Sequence, residues 1–239
     1  MFNNQIRNKK QLRSHKISCN KKTIDEIVID LSIPIILEQN KVFKKICIIS
    51  ENPEIANNNF FNSNDTCVMA LEEFKNYKGE YFDLILGLPT INLSDKIEED
   101  LKKIKSILNP NSFFLCAYFS ENNLIELKEI FKNVEIKLFD GLSQRFHPIV
   151  DIRDIGNLFN QFEFEISVIQ REKILIRYHS FHDLILHLRK MAMTNILIDQ
   201  NNYNIGKEFY SMIIDMFNED IKKNGITYEF LIATAWTTD

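Results

Sequence analysis

A chain of 239 residues, 45% of them hydrophobic and only 6 Gly and 5 Pro, has the material for one α/β domain of ordinary size and shows no linker. Residues 1–22 hold seven basic side chains (Arg7, Lys9, Lys10, Arg13, Lys16, Lys21 and Lys22) and no acid, so the remainder carries 22 basic against 33 acidic residues, a formal −11 within an overall −4. An acidic body excludes nucleic acid as the main partner, because phosphate binding needs a basic footprint, and no run of 18 apolar residues offers a membrane span.

The basic N-terminus reads as a solvated helix on which Ile6, Lys10 and Arg13 share one face. Acting as a transit segment it would direct the chain to the mitochondrial matrix; otherwise the expected compartment is cytoplasmic. Lys45-Ile46-Cys47-Ile48-Ile49 is a short continuous apolar run, the pattern of a strand buried on both faces. After it, Ala56 to Asp65 is a polar stretch containing the run Asn57-Asn58-Asn59 and reads as an exposed loop. Two further buried strands follow, Phe82 to Gly87 and Ser112 to Tyr118. Between them Ile97, Leu101, Ile104 and Leu108 recur at helical spacing, and Asn109-Pro110-Asn111 turns the helix into the strand. Leu124, Leu127 and Phe131 mark another helix, and the alternation Val134-Glu135-Ile136-Lys137-Leu138 predicts a strand after it. Buried strands alternating with amphipathic helices predict a parallel sheet covered on both sides.

Beyond residue 140 the pattern changes. A loop from Gly141 to Val150 leads to a helix with apolar positions Ile155, Leu158, Phe159 and Phe162, then to a strand within Phe164 to Tyr178. Phe181, Leu184, Ile185, Leu188 and Met191 form one helical stripe, and Phe209, Ile213, Met216 and Phe217 another. A last strand, antiparallel, is expected at about 227–235. The two helices before it are placed as a lid over the C-terminal edge of the sheet, where open α/β sheets bind ligands. Cys19, Cys47, Cys67 and Cys116 form no CxxC pair, and most lie in apolar surroundings that suit reduced thiols.

Several stretches resemble the family that joins the malonyl-carrier-protein O-methyltransferase of biotin synthesis to the methyltransferase-type assembly factor of respiratory complex I. Met1-Phe2-Asn3-Asn4 with its basic run is similar to the family's opening. Phe82 to Ile97 resembles its fourth-strand block without a gap, Leu108 to Leu115 its turn into strand five, and Glu121 to Leu127 the helix start that follows. The most specific stretch is Arg145-Phe146-His147-Pro148-Ile149-Val150-Asp151-Ile152-Arg153-Asp154-Ile155-Gly156, continued by Tyr178-His179-Ser180-Phe181, by Leu188 to Asn195 and by Thr234-Ala235-Trp236. The resemblance implies a class I methyltransferase-like (Rossmann-like) α/β fold: a seven-stranded sheet with a helical lid near the C-terminus, in one domain over 1–239. Its parts would be an N-terminal helical segment (1–44), a cofactor-type half (45–140) and a lid and substrate-type half (141–239).

The cofactor implied is S-adenosylmethionine (SAM), and here the chain departs from the family. The fold normally carries a Gly-rich turn after strand one, where backbone amides approach the ligand without a Cβ in the way. This chain instead has Ser50-Glu51-Asn52-Pro53-Glu54-Ile55, and its first glycine is Gly79. Pro53 donates no hydrogen bond, Glu51 and Glu54 add negative charge, and only Asn52 is suited to positive φ. The strand expected next, ending in an acid for the ribose hydroxyls, is replaced by Ala56 to Asp65, with Asp65 as the one acid available. Glu72-Glu73 falls at the third-strand loop that would meet adenine, Asn92 stands where the family has His, and Leu93 where it has Trp. The cofactor positions are therefore Ser50, Glu51, Asn52, Glu72, Gly87 and Leu88, with weakened or lost SAM binding.

The substrate positions expected on the lid side are Arg145, His147, Tyr178, Arg189 and Asn195, because Arg suits bidentate recognition of a carboxylate. The alternative for the cations is ordinary ion pairing with Asp151, Asp154 or Asp183. His179, His182 and His187 complete no metal geometry, and no catalytic nucleophile, elbow or Walker loop is present. Three functions stand against one another: a SAM-dependent O-methyltransferase of an acyl carboxylate, with an acyl carrier protein as partner; an arginine hydroxylase-like factor acting on a complex I subunit; and a pseudoenzyme that binds or scaffolds.

Overall fold

The computed structural model describes residues 2–61, 65–89, 91, 94–147, 149, 151–195, 197 and 206–238. Asn92 and Leu93, together with Pro148 and Val150 of the family-like stretch, lie outside them. The chain divides into two compact units interleaved in sequence. One, here the helical unit, comprises Met1–Lys21, Glu121–Ile149 and Lys173–Glu229. The other, the sheet unit, comprises Lys22–Ser120, Val150–Glu172 and Phe230–Asp239. The units divide at residues other than 44 and 140.

The sheet unit begins with α2 (Ile24–Glu38), entered through a capping box in which the Thr23 side chain accepts from the Glu26 N–H and Glu26 reaches back to the Thr23 N–H. Then come β1 (Lys45–Ile49), β2 (Asp65–Met69), α3 (Leu71–Asn76), β3 (Phe82–Gly87), α4 (Ile97–Ser106), β4 (Leu108–Phe119), α6 (Ile152–Gln161) and most of β5 (Glu165–Ile176). The strand order is β2-β1-β3-β4-β6-β5, with β6 spanning Ile226–Trp236. Strands β2, β1, β3 and β4 pair in parallel. β6 runs antiparallel to β4, pairing Phe113 with Trp236 through to Phe119 with Phe230. The last strand thus has the place and direction that the sequence predicts.

The apolar runs explain the sheet. Ile46 to Ile49, Leu84 to Leu86 and Phe113 to Ala117 are all buried, so the central strands need no polar face. One face packs Cys47, Ile85, Phe114, Cys116, Leu231 and Ala233 against Leu71 and Phe74 of α3, Leu101 and Ile104 of α4, and Ile155 and Phe159 of α6. At the far end Phe43 stacks on Phe113 and Trp236 packs tilted against both, with centroids 5.0 Å apart for Phe113 and Trp236.

Two elements differ from expectation. The described sheet has six strands; residues 56–61 form no strand, and a strand that was not expected follows at Asp65–Met69, pairing Asp65 with Lys45 and Met69 with Ile49. The chain then passes through α3 and residues 77–81 straight into β3, leaving no segment for a seventh strand beyond β2. In the helical unit, Val134 to Leu138 forms no strand. It continues α5 (Ile125–Phe139), whose buried positions Leu127, Ile130 and Val134 keep the helical spacing. The alternation was misleading because Glu135, the polar partner in it, is itself buried.

The helical unit further contains α1 (Asn4–Ser14), α7 (Phe181–Lys190) and α8 (Lys207–Met216), the last running through a π-helical turn (Phe217–Ile221) into the short α9 (Lys222–Asn224). Gly225 ends this run at φ 89°, ψ −179°, its N–H donating to the Ile221 carbonyl at 2.7 Å. That conformation is open essentially to glycine alone, and a Cβ would lie 3.0 Å from the Ile176 carbonyl oxygen. Gly225→Ala is therefore expected to destabilise the protein by about 1–3 kcal/mol, measured by denaturant unfolding; an unchanged midpoint would show that the turn relaxes without strain.

Candidate functional site

The segment after β1 is closed by its own hydrogen bonds. The Ser50 N–H donates to the Met69 carbonyl at 2.9 Å, and the buried Ser50 hydroxyl donates to the Asp25 carboxylate in the first turn of α2. The same oxygen accepts the Asn52 N–H at 2.9 Å. Asn52 then caps a 3-10 helix over Pro53–Asn57, accepting the Glu54 N–H at 3.1 Å on its side chain and the Ile55 N–H at 3.3 Å on its carbonyl. Pro53 occupies the first helical position, where its missing N–H is harmless. Four amides of the loop thus have partners inside the protein and a fifth position has none to offer.

The structure corrects several expectations for this half. Asn52 does not take positive φ; it sits at φ −104°, ψ 101°, as an N-cap. Asp65 opens β2 rather than ending it, beside Lys45 at 3.8 Å, at the opposite end of the strand from a ribose-binding position. Glu72 follows β2 directly, exposed in the first turn of α3 with Lys75 3.4 Å away. Glu51 accepts the Leu71 N–H at 3.4 Å, tying the loop to that same helix start. Gly87 ends β3 at the C-terminal edge, in register with Ile49 and Cys116. A Cβ on it would lie 3.0 Å from the Cys116 Cβ and 3.6 Å from the Ile91 side chain, so close sheet packing itself calls for glycine. Leu88 is buried, its N–H donating to the Ile49 carbonyl at 3.1 Å.

Asp25 is the residue that sequence reading missed. Its only trace was the capping pattern Thr23-Ile24-Asp25-Glu26, which marks a helix start and says nothing of a partner 25 residues away. Burial raises its carboxyl to about 6, against the opposing Ser50 hydrogen bond, and Glu51 and Glu26 push it further up.

The substrate-type residues all belong to the helical unit, where they fall into three clusters and one exposed position. Arg145 donates through Nε to Glu135, a buried carboxylate that also accepts the Ser143 N–H at 2.8 Å. The guanidinium lies over the rings of Phe209, at 5.1 Å, and Phe131, at 5.8 Å. Among the described residues its buried Nη2 and the buried Ser143 hydroxyl have no hydrogen-bond partner. The partner of Arg145 is therefore Glu135 and none of Asp151, Asp154 or Asp183; it was hidden by reading residues 134–138 as a strand. In the second cluster, Lys10 of α1 donates to the Asn195 carbonyl, and the Asn195 side chain donates to Gln144 and accepts from Leu197. His147 meets Phe2 edge to face at 5.5 Å, and burial, with Lys10 nearby, lowers it to about 4. In the third, the Tyr178 hydroxyl lies 2.6 Å from His187 Nδ1 and 2.8 Å from the Tyr228 hydroxyl, all three side chains buried. Arg189 is exposed in the last turn of α7.

Two outcomes follow from these contacts. Asp25 is held above its ordinary value of 3.8. As pH climbs from about 4 through 6 the unfolded chain releases this proton first, so the folded state loses up to about 3 kcal/mol over that window. Asp25→Asn should consequently raise the melting temperature at pH 8 and lose that advantage towards pH 4; a gain independent of pH would refute the buried carboxyl. Glu135→Gln leaves the Arg145 charge half-buried without its counterion and should cost about 3 kcal/mol or more, while pairing it with Arg145→Met should recover most of the loss. Urea unfolding of the three variants reads this directly, and an additive double variant would contradict the pair.

No family model matches the chain. It is 27% identical over 169 residues to the mitochondrial arginine-hydroxylase NDUFAF5 of Dictyostelium discoideum, covering 69% of this chain and 39% of that protein. It is 24% identical over 160 residues to malonyl-[acyl-carrier protein] O-methyltransferase 1 of Coxiella burnetii, covering 66% and 54%. The chain thus spans about half the length of the curated relatives it matches. Among solved structures, the plantazolicin methyltransferase BamL superposes with a TM-score of 0.52 at 10% identity over 98% of this chain and 91% of that one. Sheet order and superposition agree on the α/β fold of the class I SAM-dependent methyltransferases, and the chain is similar in sequence to these two curated proteins.

Proposed function

We propose that this chain is a methyltransferase-fold protein that has lost useful affinity for SAM and serves as a binding module. The observation that carries the reading is the closed loop after β1: Ser50, Asn52, Glu54 and Ile55 donate their amides within the protein. The residues present do not fit the cofactor. A carboxylate-bearing ligand approaching this loop would meet Asp25, Glu51 and Glu54 rather than a row of open N–H groups. Losing one or two charge-assisted backbone bonds costs about 1.5–3 kcal/mol each, which at about 1.4 kcal/mol per tenfold weakens binding by roughly one to four orders of magnitude.

A second reading is an arginine hydroxylase-like factor acting on a basic peptide. It is favoured by the similarity to the arginine-hydroxylases NDUFAF5 and by the acidic balance beyond residue 22. An acyl carrier protein is the partner proposed if the chain keeps the specificity of an acyl-carboxylate O-methyltransferase, and a complex I subunit the partner proposed for the arginine hydroxylase-like reading.

Calorimetric titration with SAM and S-adenosylhomocysteine is expected to give no measurable heat at ordinary protein concentrations, and the purified protein should carry no nucleoside. A dissociation constant of a few micromolar would overturn the reading and restore the O-methyltransferase. Mass spectrometry of an Arg-containing peptide incubated with the protein separates the second reading from the first: a gain of one oxygen supports hydroxylation, an unchanged mass the binding module.

A further inference from the structure

Cys47 and Cys67 stand in direct register across the parallel pairing of β1 and β2. Side chains in register on neighbouring strands leave the same face. Here that face is the one covered by α3 and α4, with Cys47 inside the core and Cys67 packed against it. Neighbouring strands lie about 4.8 Å apart, which places the two Cα atoms within the roughly 4.4–6.8 Å that a disulfide tolerates. The Cβ atoms, at about the same spacing, must close by about 1 Å to reach the ~3.8 Å of an unstrained bridge. A bond made there stores strain, and strained disulfides are the readily reduced ones.

We propose that Cys47 and Cys67 form a redox modification site, a dithiol that closes reversibly to a disulfide within the folded protein. Burial separates the roles of the two sulfurs. Cys67 is half-buried on the edge strand, within reach of a small oxidant, whereas Cys47 is fully buried. The hydrogen bond from the Cys47 thiol lowers Cys67 from its ordinary thiol value, with Lys45 adding to the effect, so Cys67 is the sulfur that ionises first. With hydrogen peroxide as oxidant, the Cys67 thiolate attacks one oxygen; the S–O bond forms, the O–O bond breaks, and hydroxide leaves and is protonated. The Cys47 sulfur then attacks the Cys67 sulfenic acid. The S–S bond forms, the S–O bond breaks, and the departing oxygen takes up the Cys47 proton as water. Two thiols and one peroxide give one disulfide and two waters. Closure draws β2 towards β1 two residues before Met69, whose carbonyl holds the Ser50 N–H, so oxidation is transmitted to the loop after β1.

The test treats the full chain with hydrogen peroxide under native conditions, blocks remaining thiols by alkylation and maps the digest without reduction by mass spectrometry. The expected product is a peptide pair linked through Cys47 and Cys67, two hydrogens lighter than the sum of its parts and released by dithiothreitol, with the far-ultraviolet circular dichroism unchanged. Cys19→Ser should leave it intact and Cys67→Ser should abolish it. Circular dichroism of Cys67→Ser and Cys67→Ala reports whether these fold, and the wild-type map decides alone if they do not. Both thiols still alkylated after excess oxidant, Cys67 carried on to sulfinic acid beside a reduced Cys47, or a link formed only in denaturant would each overturn the proposal.

Discussion

The sheet unit turns on what happens to the backbone amides as the chain leaves β1. A parallel strand in an open α/β sheet delivers its C-terminal amides to the ligand edge, and a glycine-rich turn keeps them available by removing every Cβ that would stand in the way. Here the turn begins with a serine whose hydroxyl bridges the Asp25 carboxylate and the Asn52 N–H. Once Ser50 is held, Asn52 is placed as an N-cap, Pro53 starts the 3-10 helix, and the Glu54 and Ile55 amides donate back to Asn52. Every step from serine to helix is a local hydrogen bond that replaces one a ligand would have supplied. The half-buried Asp25, carrying a raised carboxyl, adds charge of the wrong sign at the same place.

The helical unit follows a different logic. Arg145 satisfies one nitrogen on Glu135 and packs against two phenylalanines that also touch each other, with Nη2 buried beside them. Tyr178 differs, since both His187 and Tyr228 already engage its hydroxyl, and it acts as a buried link between α7 and β6 rather than as a donor for a ligand. Arg189, exposed at a helix C-terminus, is placed where a cation favours the helix dipole.

How much of this could be read from the residues depends on the range of the interaction. The buried strands at Lys45, Phe82 and Ser112 and the final antiparallel strand were legible because apolar runs of that length leave few alternatives. The missing glycines were legible too, since the absence of a residue type needs no geometry. Val134 to Leu138 failed because an alternating pattern over five residues fits a helix with one buried acid as well as a strand. β2 was overlooked because Asp65-Thr66-Cys67-Val68-Met69 is an edge strand, half-exposed and without a continuous apolar signature. Asp25 and Glu135 share the reason they were missed: each is an acid whose partner lies on another element, and only the folded chain brings the two together.

The central claim is that the amides after β1 are held by the protein itself. Amide hydrogen exchange followed residue by residue by nuclear magnetic resonance tests it most directly. Ser50, Asn52, Glu54 and Ile55 should exchange far more slowly than unstructured reference amides, and Asp25→Ala, which removes the anchor of Ser50, should speed Asn52 while leaving the β3 amides of Leu84 to Leu86 protected. Fast exchange of all four amides in the unaltered protein, falling on addition of S-adenosylhomocysteine, would mean an open loop that a ligand closes, and would contradict this account.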